Sequence, residues 1–252
     1  MQPETKKTSN KSYSYRLLWM LVSVTVVITA LHLLLQYLNL EVFYQQNGQV
    51  YELSNRFDLD DESSVPTWFS QFLFLAIGAG ALLAAYVQTN KSARRLWNII
   101  AAIGLLFSLD EVATLHEYIL QSIHVLFFQD AKPTEADNAW LLVAPVVLVV
   151  GGWLAWKMLG LLPRRTILLF VGAGITFISG AIFIDLMTSV VDRETFFNQG
   201  ILVAVEETLE LLGAAVALYA VANYLELYHH APLGKAAKVL RSADQKFHSK
   251  NS

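Results

Sequence analysis

The residues of this chain that are most suited to chemistry are seven acids inside long apolar segments. A carboxylate in hydrocarbon is unfavourable by roughly 2.5–3.5 kcal/mol on insertion scales, and acids in such segments mark ion sites, proton relays or substrate pathways. Their placement is therefore the strongest indication of function in the sequence. They are Asp110, Glu111 and Glu117 in one segment, Asp185 in a second, and Glu206, Glu207 and Glu210 in a third.

The apolar segments themselves predict membrane-spanning helices. Of the 252 residues, 55% are hydrophobic and only 15% are charged, and the mean hydropathy is +0.44. Soluble domains carry about 25% charged residues, and one span needs about 20 apolar residues. We therefore predict an all-α fold, an integral membrane bundle of six transmembrane helices in one domain, residues 1–252. The predicted spans are about residues 17–40, 68–87, 97–120, 140–159, 166–190 and 200–225.

The basic side chains are sorted between the two ends of these spans. Of the 18 Lys and Arg residues, all but Arg56, Lys132 and Arg193 fall in the two tails, in the loops after the second and fourth spans or, for Lys157, at the last turn of the fourth span beside its loop. Basic residues that flank spans concentrate on the cytoplasmic side. We therefore predict a multi-pass protein of the cell membrane with cytoplasmic tails at residues 1–16 and 226–252.

This orientation places the acids toward the outer side of the membrane. Asp110 lies 13 residues into the third span, about 20 Å deep at about 1.5 Å per residue. The three acids of the sixth span lie about 9–15 Å below the outer surface by the same rise. His32 falls in the outer half of the first span. A single polar site that opens to the outside is expected.

Helical phase divides the polar side chains of the third span into faces. Glu111 lies about 80–100° to one side of the main polar stripe, and His116 lies about 120° away on the other side. One helix therefore cannot direct Asp110 and His116 to the same point. The stripe, about 80° wide, consists of Asp110, Thr114, Glu117, Gln121 and His124.

On the sixth span, Glu206 and Glu210 share a face, and Glu207 is displaced by about 100°. The same face carries Gly213 and Ala217 further along. Small residues allow close helix packing, so a tight helix contact is expected there, with a cavity on the outer side. Gly180 and the paired glycines of the second, fourth and fifth spans are also expected at helix contacts.

So many acids in one place of low dielectric cannot all be ionised without cations. The acid-bearing spans contain no Lys or Arg, and the chain has no Cys, so a metal ion without thiolate ligands, or bound protons, must neutralise them. Carboxylates alone suit calcium or magnesium, and carboxylates with imidazole suit zinc, manganese or iron. The predicted metal ligands are Asp110, His116, Glu117, Asp185, Glu206 and Glu210, with His124 or His32 as further imidazoles and Glu111 or Glu207 as the general base.

Three motifs resemble those of a group of uncharacterised bacterial multi-pass membrane proteins. They are an acidic stretch before PTWFS, an SLDE…HE segment and an EE…LE segment. The resemblance covers about half of the chain and implies no activity. A zinc-protease HExxH motif is not completed, because Leu120 stands where its second histidine would be. The matching residues are Asp58, Glu62, Pro66, Thr67, Trp68, Ser108, Asp110, Glu111, His116, Glu117, Glu206, Glu207 and Glu210.

Three functions are compatible with this sequence. The first is a metal-dependent membrane enzyme, hydrolase-like and directed at lipid. The second is a cation- or proton-coupled transporter, although the inner halves of the spans lack ionisable groups. The third is a non-catalytic receptor or assembly component, with haem ligation by His32 and His116 as a variant. The expected surrounding is the lipid bilayer, the candidate ligand a lipid or a cation, the candidate cofactor a divalent metal, and no nucleic acid partner is expected.

Overall fold

Seven α-helices and no β-strand are found in the part of the chain that the structure, a computed structural model, describes. The described residues are 13–115, 118–119, 122, 140–184 and 195–228. The predicted all-α class is therefore confirmed for these residues. The helices are α1 (Tyr13–Tyr37), α2 (Gly48–Arg56), α3 (Val65–Val87), α4 (Lys91–Ala113), α5 (Trp140–Met158), α6 (Arg164–Ile178) and α7 (Val203–Tyr228).

Three π-helical segments extend these helices. Leu38–Val42 continues α1, Ser179–Ile184 continues α6, and Phe197–Leu202 leads into α7. Turns of π-helix are rare and frequently occur at functional sites. All three lie at helix ends that the sequence predicts to be outer, which is the side of the predicted acidic site.

Four helical stretches are long and apolar enough to cross a membrane, and they overlap the first, second, third and fifth predicted spans. The fourth predicted span contains a shorter apolar helix, Ala144–Met158. The sixth contains α7, which is not among these four stretches. Many large apolar side chains are exposed on the described helices, as expected for a helical membrane protein. The four stretches are Tyr13–Val42, Val65–Val87, Lys91–Ala113 and Arg164–Ile184.

Side-chain caps set the starts of α3 and α4. The Ser64 side chain accepts a hydrogen bond from the N–H of Thr67, and Pro66 lies in the first turn of α3. The Asn90 side chain accepts from the N–H of Ser92 at the start of α4. Caps satisfy backbone N–H groups that lack a partner within the helix. The two helices therefore begin three and six residues earlier than hydropathy alone predicts.

Small residues bring α3 and α4 together in the most extensive helix pair of the structure. A Cβ added to Gly104 would lie only 2.8 Å from the backbone nitrogen of Gly78. Ala81 and Ala101, both fully buried, continue the two small faces. Such faces allow helix backbones to approach closely. The predicted packing role of Gly78 is confirmed.

Four other glycines that the sequence predicts at helix contacts have free space around them among the described atoms. A Cβ added at any of them would meet no described atom within 4 Å. The predicted close contacts are therefore wrong for the described residues around these positions. They are Gly151 and Gly152 on α5, and Gly172 and Gly174 on α6.

The central helix of the bundle is α7. It packs against α1, α3 and α6. Buried residues occur around its whole circumference, so its neighbours shield much of it from lipid. The acids of α7 are therefore carried by the most protected helix in the described structure. The buried residues are Val203, Ala204, Leu211, Gly213, Ala214, Ala215, Leu218, Tyr219, Ala220, Val221, Asn223, Tyr224 and Leu225.

The third predicted span is interrupted at Thr114. Helix α4 ends at Ala113, and Thr114 has a φ of 49°, in the left-handed region that side chains with a Cβ rarely adopt. The Thr114 N–H donates to the Asp110 carbonyl at 2.7 Å. The predicted polar stripe assumed a continuous helix through this point. That assumption is wrong at Thr114, and Glu117 lies outside the described residues.

The helix ends that carry the basic residues meet at one end of the bundle. The Glu226 carboxylate accepts hydrogen bonds from the N–H groups of Tyr13 and Ser14, each at 3.0 Å. Arg165 Nη2 donates to the Tyr219 hydroxyl at 3.0 Å. The starts of α1 and α6 therefore lie beside the last turns of α7, opposite the end of α7 that carries its three clustered acids.

Glu226 caps α1 from a different helix, and its removal is expected to destabilise the protein. The first N–H groups of α1 have no partner within their own helix, and a carboxylate there also complements the helix dipole. We expect Glu226→Ala to lower the free energy of unfolding by about 1–2 kcal/mol. Thermal unfolding in detergent micelles, followed by circular dichroism, measures the change. Glu52→Ala removes an exposed acid of α2 and is the matched control; equal stability of the two variants would contradict the capping role.

Candidate metal centre

Three glutamates in the first turns of α7 bring their carboxylates together. One carboxylate oxygen from each of Glu206, Glu207 and Glu210 lies within 4.8 Å of the other two, and all three side chains are half-buried. Divalent cations bind carboxylate oxygens at about 2.0–2.6 Å. Oxygens on opposite sides of one ion are therefore about 4–5 Å apart. These three groups, named the α7 carboxylates from here on, have the spacing to bind one ion.

Glu207 belongs to this group although its Cβ lies about 100° around the helix from that of Glu206. Residues i and i+3 are neighbours on a helix surface, and this relation joins Glu207 to Glu210. The flexible glutamate side chains then close the remaining distance to Glu206. Helical phase alone therefore underestimates how closely the three carboxylates approach one another.

The π-helical end of α6 packs directly on this turn of α7. A Cβ added to Gly180 would lie 2.5 Å from the carbonyl oxygen of Glu206 and 3.1 Å from Cγ of Glu210. No side chain larger than hydrogen fits at that distance, so the close approach requires glycine. The helix contact predicted for Gly180 is confirmed. The described part of this segment ends at Ile184.

Acids from two distant parts of the chain interact electrostatically with Glu207, one of the α7 carboxylates. Asp60, in the loop between α2 and α3, and Glu111, near the end of α4, both act electrostatically on the carboxylate of Glu207. The other two α7 carboxylates act on Glu207 as well. Asp60 and Glu111 also have further polar or electrostatic interactions. Acids of a loop and of two helices thus contribute to the electrostatic environment of Glu207.

The loop of residues 57–64, named the outer acidic loop, is shaped by its own side chains. Asp58 Oδ1 accepts the N–H of Asp60 at 3.2 Å, and Asp61 Oδ1 accepts the N–H two residues further on at 2.7 Å. Both are Asx turns, in which a side-chain oxygen bonds the nearby backbone. The Thr67 hydroxyl donates to the Asp61 carbonyl at 2.7 Å. The acidic stretch before PTWFS is therefore a folded loop that ends in the cap of α3.

A polar stripe on α1 connects this loop with α7. Its members recur at spacings of three and four, which places them on one helix face. The Thr29 hydroxyl lies 2.7 Å from the hydroxyl of Thr208, the residue that follows Glu207. All members except Thr29 are buried. The stripe consists of Thr25, Thr29, His32, Gln36 and Asn39.

His32 and Gln36 bind the outer acidic loop to α1. The Leu59 N–H donates to His32 Nδ1 at 3.2 Å, and Gln36 Nε2 donates to Asp58 Oδ2 at 2.8 Å. His32 is fully buried. Because its Nδ1 accepts a hydrogen bond, this nitrogen carries no proton, and the 3.4 Å contact between Nδ1 and Asp58 Oδ1 is not an ion pair. The Nδ1 lone pair is therefore occupied and does not face a metal.

Docking of the loop desolvates Asp58. Burial raises the pKa of the Asp58 carboxyl above its ordinary value, and the charge of Asp61 acts in the same direction, whereas hydrogen bonds from Asp60 and Gln36 oppose the rise. Folding thus favours the protonated carboxyl. The contribution of this group to stability is complete below its unfolded-state pKa and is lost as the pH rises through its folded-state pKa.

Several predicted site residues lie outside the described residues: His116, Glu117, Asp185 and His124. Of the described candidates, the α7 carboxylates come together and Glu111 acts on them, while Asp110 is half-buried beside Glu111 on α4. Sequence reasoning did not include Asp60 or the polar stripe on α1. The polar residues of the stripe recur every three or four positions, and this spacing could have predicted it. Nothing in the sequence distinguishes Asp60 from the other acids of its loop.

Comparison with known proteins assigns a family without an activity. A family model described as a domain of unknown function (DUF8692) matches residues 19–224. No curated protein and no solved structure matches the chain. The matched range contains the α7 carboxylates, Glu111, the outer acidic loop and the polar stripe on α1.

Proposed function

We propose a divalent-cation site as the function of this chain, which belongs to the DUF8692 family of domains of unknown function. The cation binds at the α7 carboxylates, in a protein that crosses the cell membrane six times with both termini in the cytoplasm. The meeting of the basic helix ends at the end of the bundle opposite the acids supports this orientation. The resemblance of the three sequence motifs supports a bacterial membrane.

The observation that carries the proposal is the grouping of three carboxylate oxygens within 4.8 Å. Glu111 and Asp60 add negative charge to the same place. Residues 97–120 and 200–225 contain no Lys or Arg, and the basic residues of α4 lie in its first turns, at the end of the helix opposite Glu111. A bound divalent ion neutralises the group at the separation its oxygens already have.

The chemistry of the ligands selects the kind of ion. The described acids offer only carboxylate oxygens, which favour the hard ions calcium, magnesium and manganese. If His116 adds an imidazole, zinc or iron also fits. Asp110, Glu117 and Asp185 remain the other proposed ligands. Asp110 directly precedes Glu111 on α4, and Asp185 directly follows the π-helical segment Ser179–Ile184 that packs on α7.

A hydrolase-like reaction on a lipid is the activity that this site supports best. Glu111 comes from a different helix than the α7 carboxylates, so it is the better-placed general base for a water beside the ion. The polar stripe of α1 ends at Thr25, and the buried residue one turn further toward the cytoplasm is Leu21. A polar stripe that does not continue toward the cytoplasm favours binding and chemistry over transport.

Cation titration of the purified protein tests the proposal. Protein in detergent is treated with a chelator and titrated with Ca²⁺, Mg²⁺, Mn²⁺ and Zn²⁺ by calorimetry, and the metal content of untreated protein is measured by mass spectrometry. We expect saturable binding of at least one ion, and a loss of affinity of more than about 100-fold in Glu207→Gln, beyond the range seen for residues outside the ligand shell.

The matched control is Glu52→Gln, the same exchange at an exposed acid of α2. It should bind the cation like the unmodified protein. Absence of saturable binding for all four ions, or binding by Glu207→Gln that equals that of Glu52→Gln, would overturn the proposed site.

A further inference from the structure

We infer that His32 and Gln36 are positioning residues that hold the outer acidic loop against α1 so that Asp60 faces the α7 carboxylates. Neither side chain is proposed to touch the cation. The effect on cation binding rests on the proposed function, whereas the docking of the loop stands on the hydrogen bonds alone.

The hydrogen bonds form a continuous path from α1 to Asp60. Gln36 bonds the Asp58 side chain at 2.8 Å, and His32 bonds the backbone of the next residue, Leu59, at 3.2 Å. The Asp58 carboxylate in turn accepts the N–H of Asp60 at 3.2 Å. Asp58 and Leu59 are thus hydrogen-bonded to α1, and Asp60 is hydrogen-bonded to Asp58.

Burial of Leu59 strengthens this attachment. Its side chain is only 4% exposed and belongs to the main apolar core. Burial of the leucine side chain removes apolar surface from water and so favours the docked loop. The loop is therefore anchored by one apolar side chain and two hydrogen bonds to α1, while Asp60 itself stays exposed.

The register between α1 and α7 explains why this anchor delivers Asp60 to the site. The hydroxyls of Thr29 and Thr208 are 2.7 Å apart. His32 lies one turn beyond Thr29 toward the loop, and Glu207 directly precedes Thr208. The loop attached to His32 is therefore next to the turn of α7 that carries Glu207, and the electrostatic effect of Asp60 on Glu207 agrees with this placement.

Asp60 approaches from the exposed side, while the α7 carboxylates are half-buried. It is thus placed to bind the outer side of an ion that the α7 carboxylates hold from within. If His32 no longer fixes Leu59, the loop loses its attachment and Asp60 loses its position. The predicted consequence is weaker cation binding with intact α7 carboxylates.

A double-mutant cycle tests the positioning role. We expect His32→Leu and Asp60→Asn each to weaken cation binding by about 10- to 100-fold, the range of groups that orient ligands. The double variant should be no weaker than Asp60→Asn alone, because His32 acts through Asp60. His32→Asn, which keeps an acceptor near the position of Nδ1, should restore most of the affinity. Additive losses, or unchanged affinity in His32→Leu, would overturn the inference.

Labelling of an introduced thiol tests the docking independently of any cation. The chain has no native Cys, so Leu59→Cys carries a single thiol. We expect it to resist a maleimide reagent in the otherwise unmodified protein and to react at least tenfold faster when combined with His32→Leu. Ser63→Cys, at an exposed position of the same loop, is the control and should react rapidly in both backgrounds.

Unchanged protection of the thiol at position 59 in the His32→Leu background would overturn the docking. Gln36→Leu serves as the second disrupting variant if His32→Leu does not fold. If the unmodified protein binds no cation but the thiol becomes reactive in either variant, the proposed function fails and the docking of the loop stands. The proposed cation site and the docking of the outer acidic loop can therefore be disproved independently of each other.

Discussion

Gly180→Ala is expected to lower the free energy of unfolding by about 1–3 kcal/mol and to weaken cation binding more than tenfold. The added methyl group would lie 2.5 Å from the carbonyl oxygen of Glu206, a backbone atom that cannot rotate away. It would also lie 3.1 Å from Cγ of Glu210. The end of α6 must therefore separate from α7, and the α7 carboxylates lose the support that orients them. Thermal unfolding and cation titration in the same micelles measure the two effects.

Gly172→Ala is the matched control on the same helix. No described atom lies within 4 Å of the added Cβ at this position, and alanine is the better helix former by about 1 kcal/mol. We expect unchanged cation affinity and equal or higher stability. If Gly180→Ala behaves like Gly172→Ala in both measurements, then α6 does not support the site in the way described above.

Gly104→Ala is expected to destabilise the bundle by about 1–3 kcal/mol or more, because overpacking of a tight contact forces the backbone to shift. The added Cβ would lie 2.8 Å from the backbone nitrogen of Gly78 and 3.1 Å from the carbonyl oxygen of Phe74. Both neighbours belong to the backbone of α3, so no side chain can move aside. The hairpin of α3 and α4 must open along its seam. Unfolding in mixed detergent micelles measures the loss.

Gly151→Ala is the corresponding control for this seam. Its Cβ would meet no described atom within 4 Å, so the same exchange should be neutral or stabilising. A Gly104→Ala protein that unfolds at the same point as Gly151→Ala would show that the hairpin tolerates wider spacing than its small residues indicate.

The all-α class of the fold could be predicted from the sequence, because a helix that crosses a membrane needs an apolar segment of about 20 residues. The exact ends of the helices depend on side-chain hydrogen bonds and backbone conformations that a hydropathy pattern does not describe. Ser64 and Asn90 extend α3 and α4 beyond their apolar segments, because their side chains satisfy backbone N–H groups. Helix α4 ends within an apolar segment because the backbone of Thr114 is left-handed. No residue type near Thr114 predicts this conformation.

The acidic site was predictable in part. The acids of α7 are close in sequence, and one helix necessarily presents them to one region. The contribution of Asp60 depends on how a loop of eight residues folds onto His32, and spacing along the chain does not encode that contact. Likewise, small residues predict close packing only where another helix is present, so Gly78 and Gly151 look alike in sequence and differ in structure.

The burial of α7 at the centre of the bundle has a consequence for how the chain enters the membrane. Carboxylates within an isolated apolar segment oppose its insertion, and the first turns of α7 carry three. Such a helix is a poor insertion signal when it leaves the ribosome alone. In the proposed six-span topology, stable insertion of α7 depends on its packing against α1, α3 and α6, which precede it in the chain. Insertion of α7 and assembly of the acidic site would then be one event.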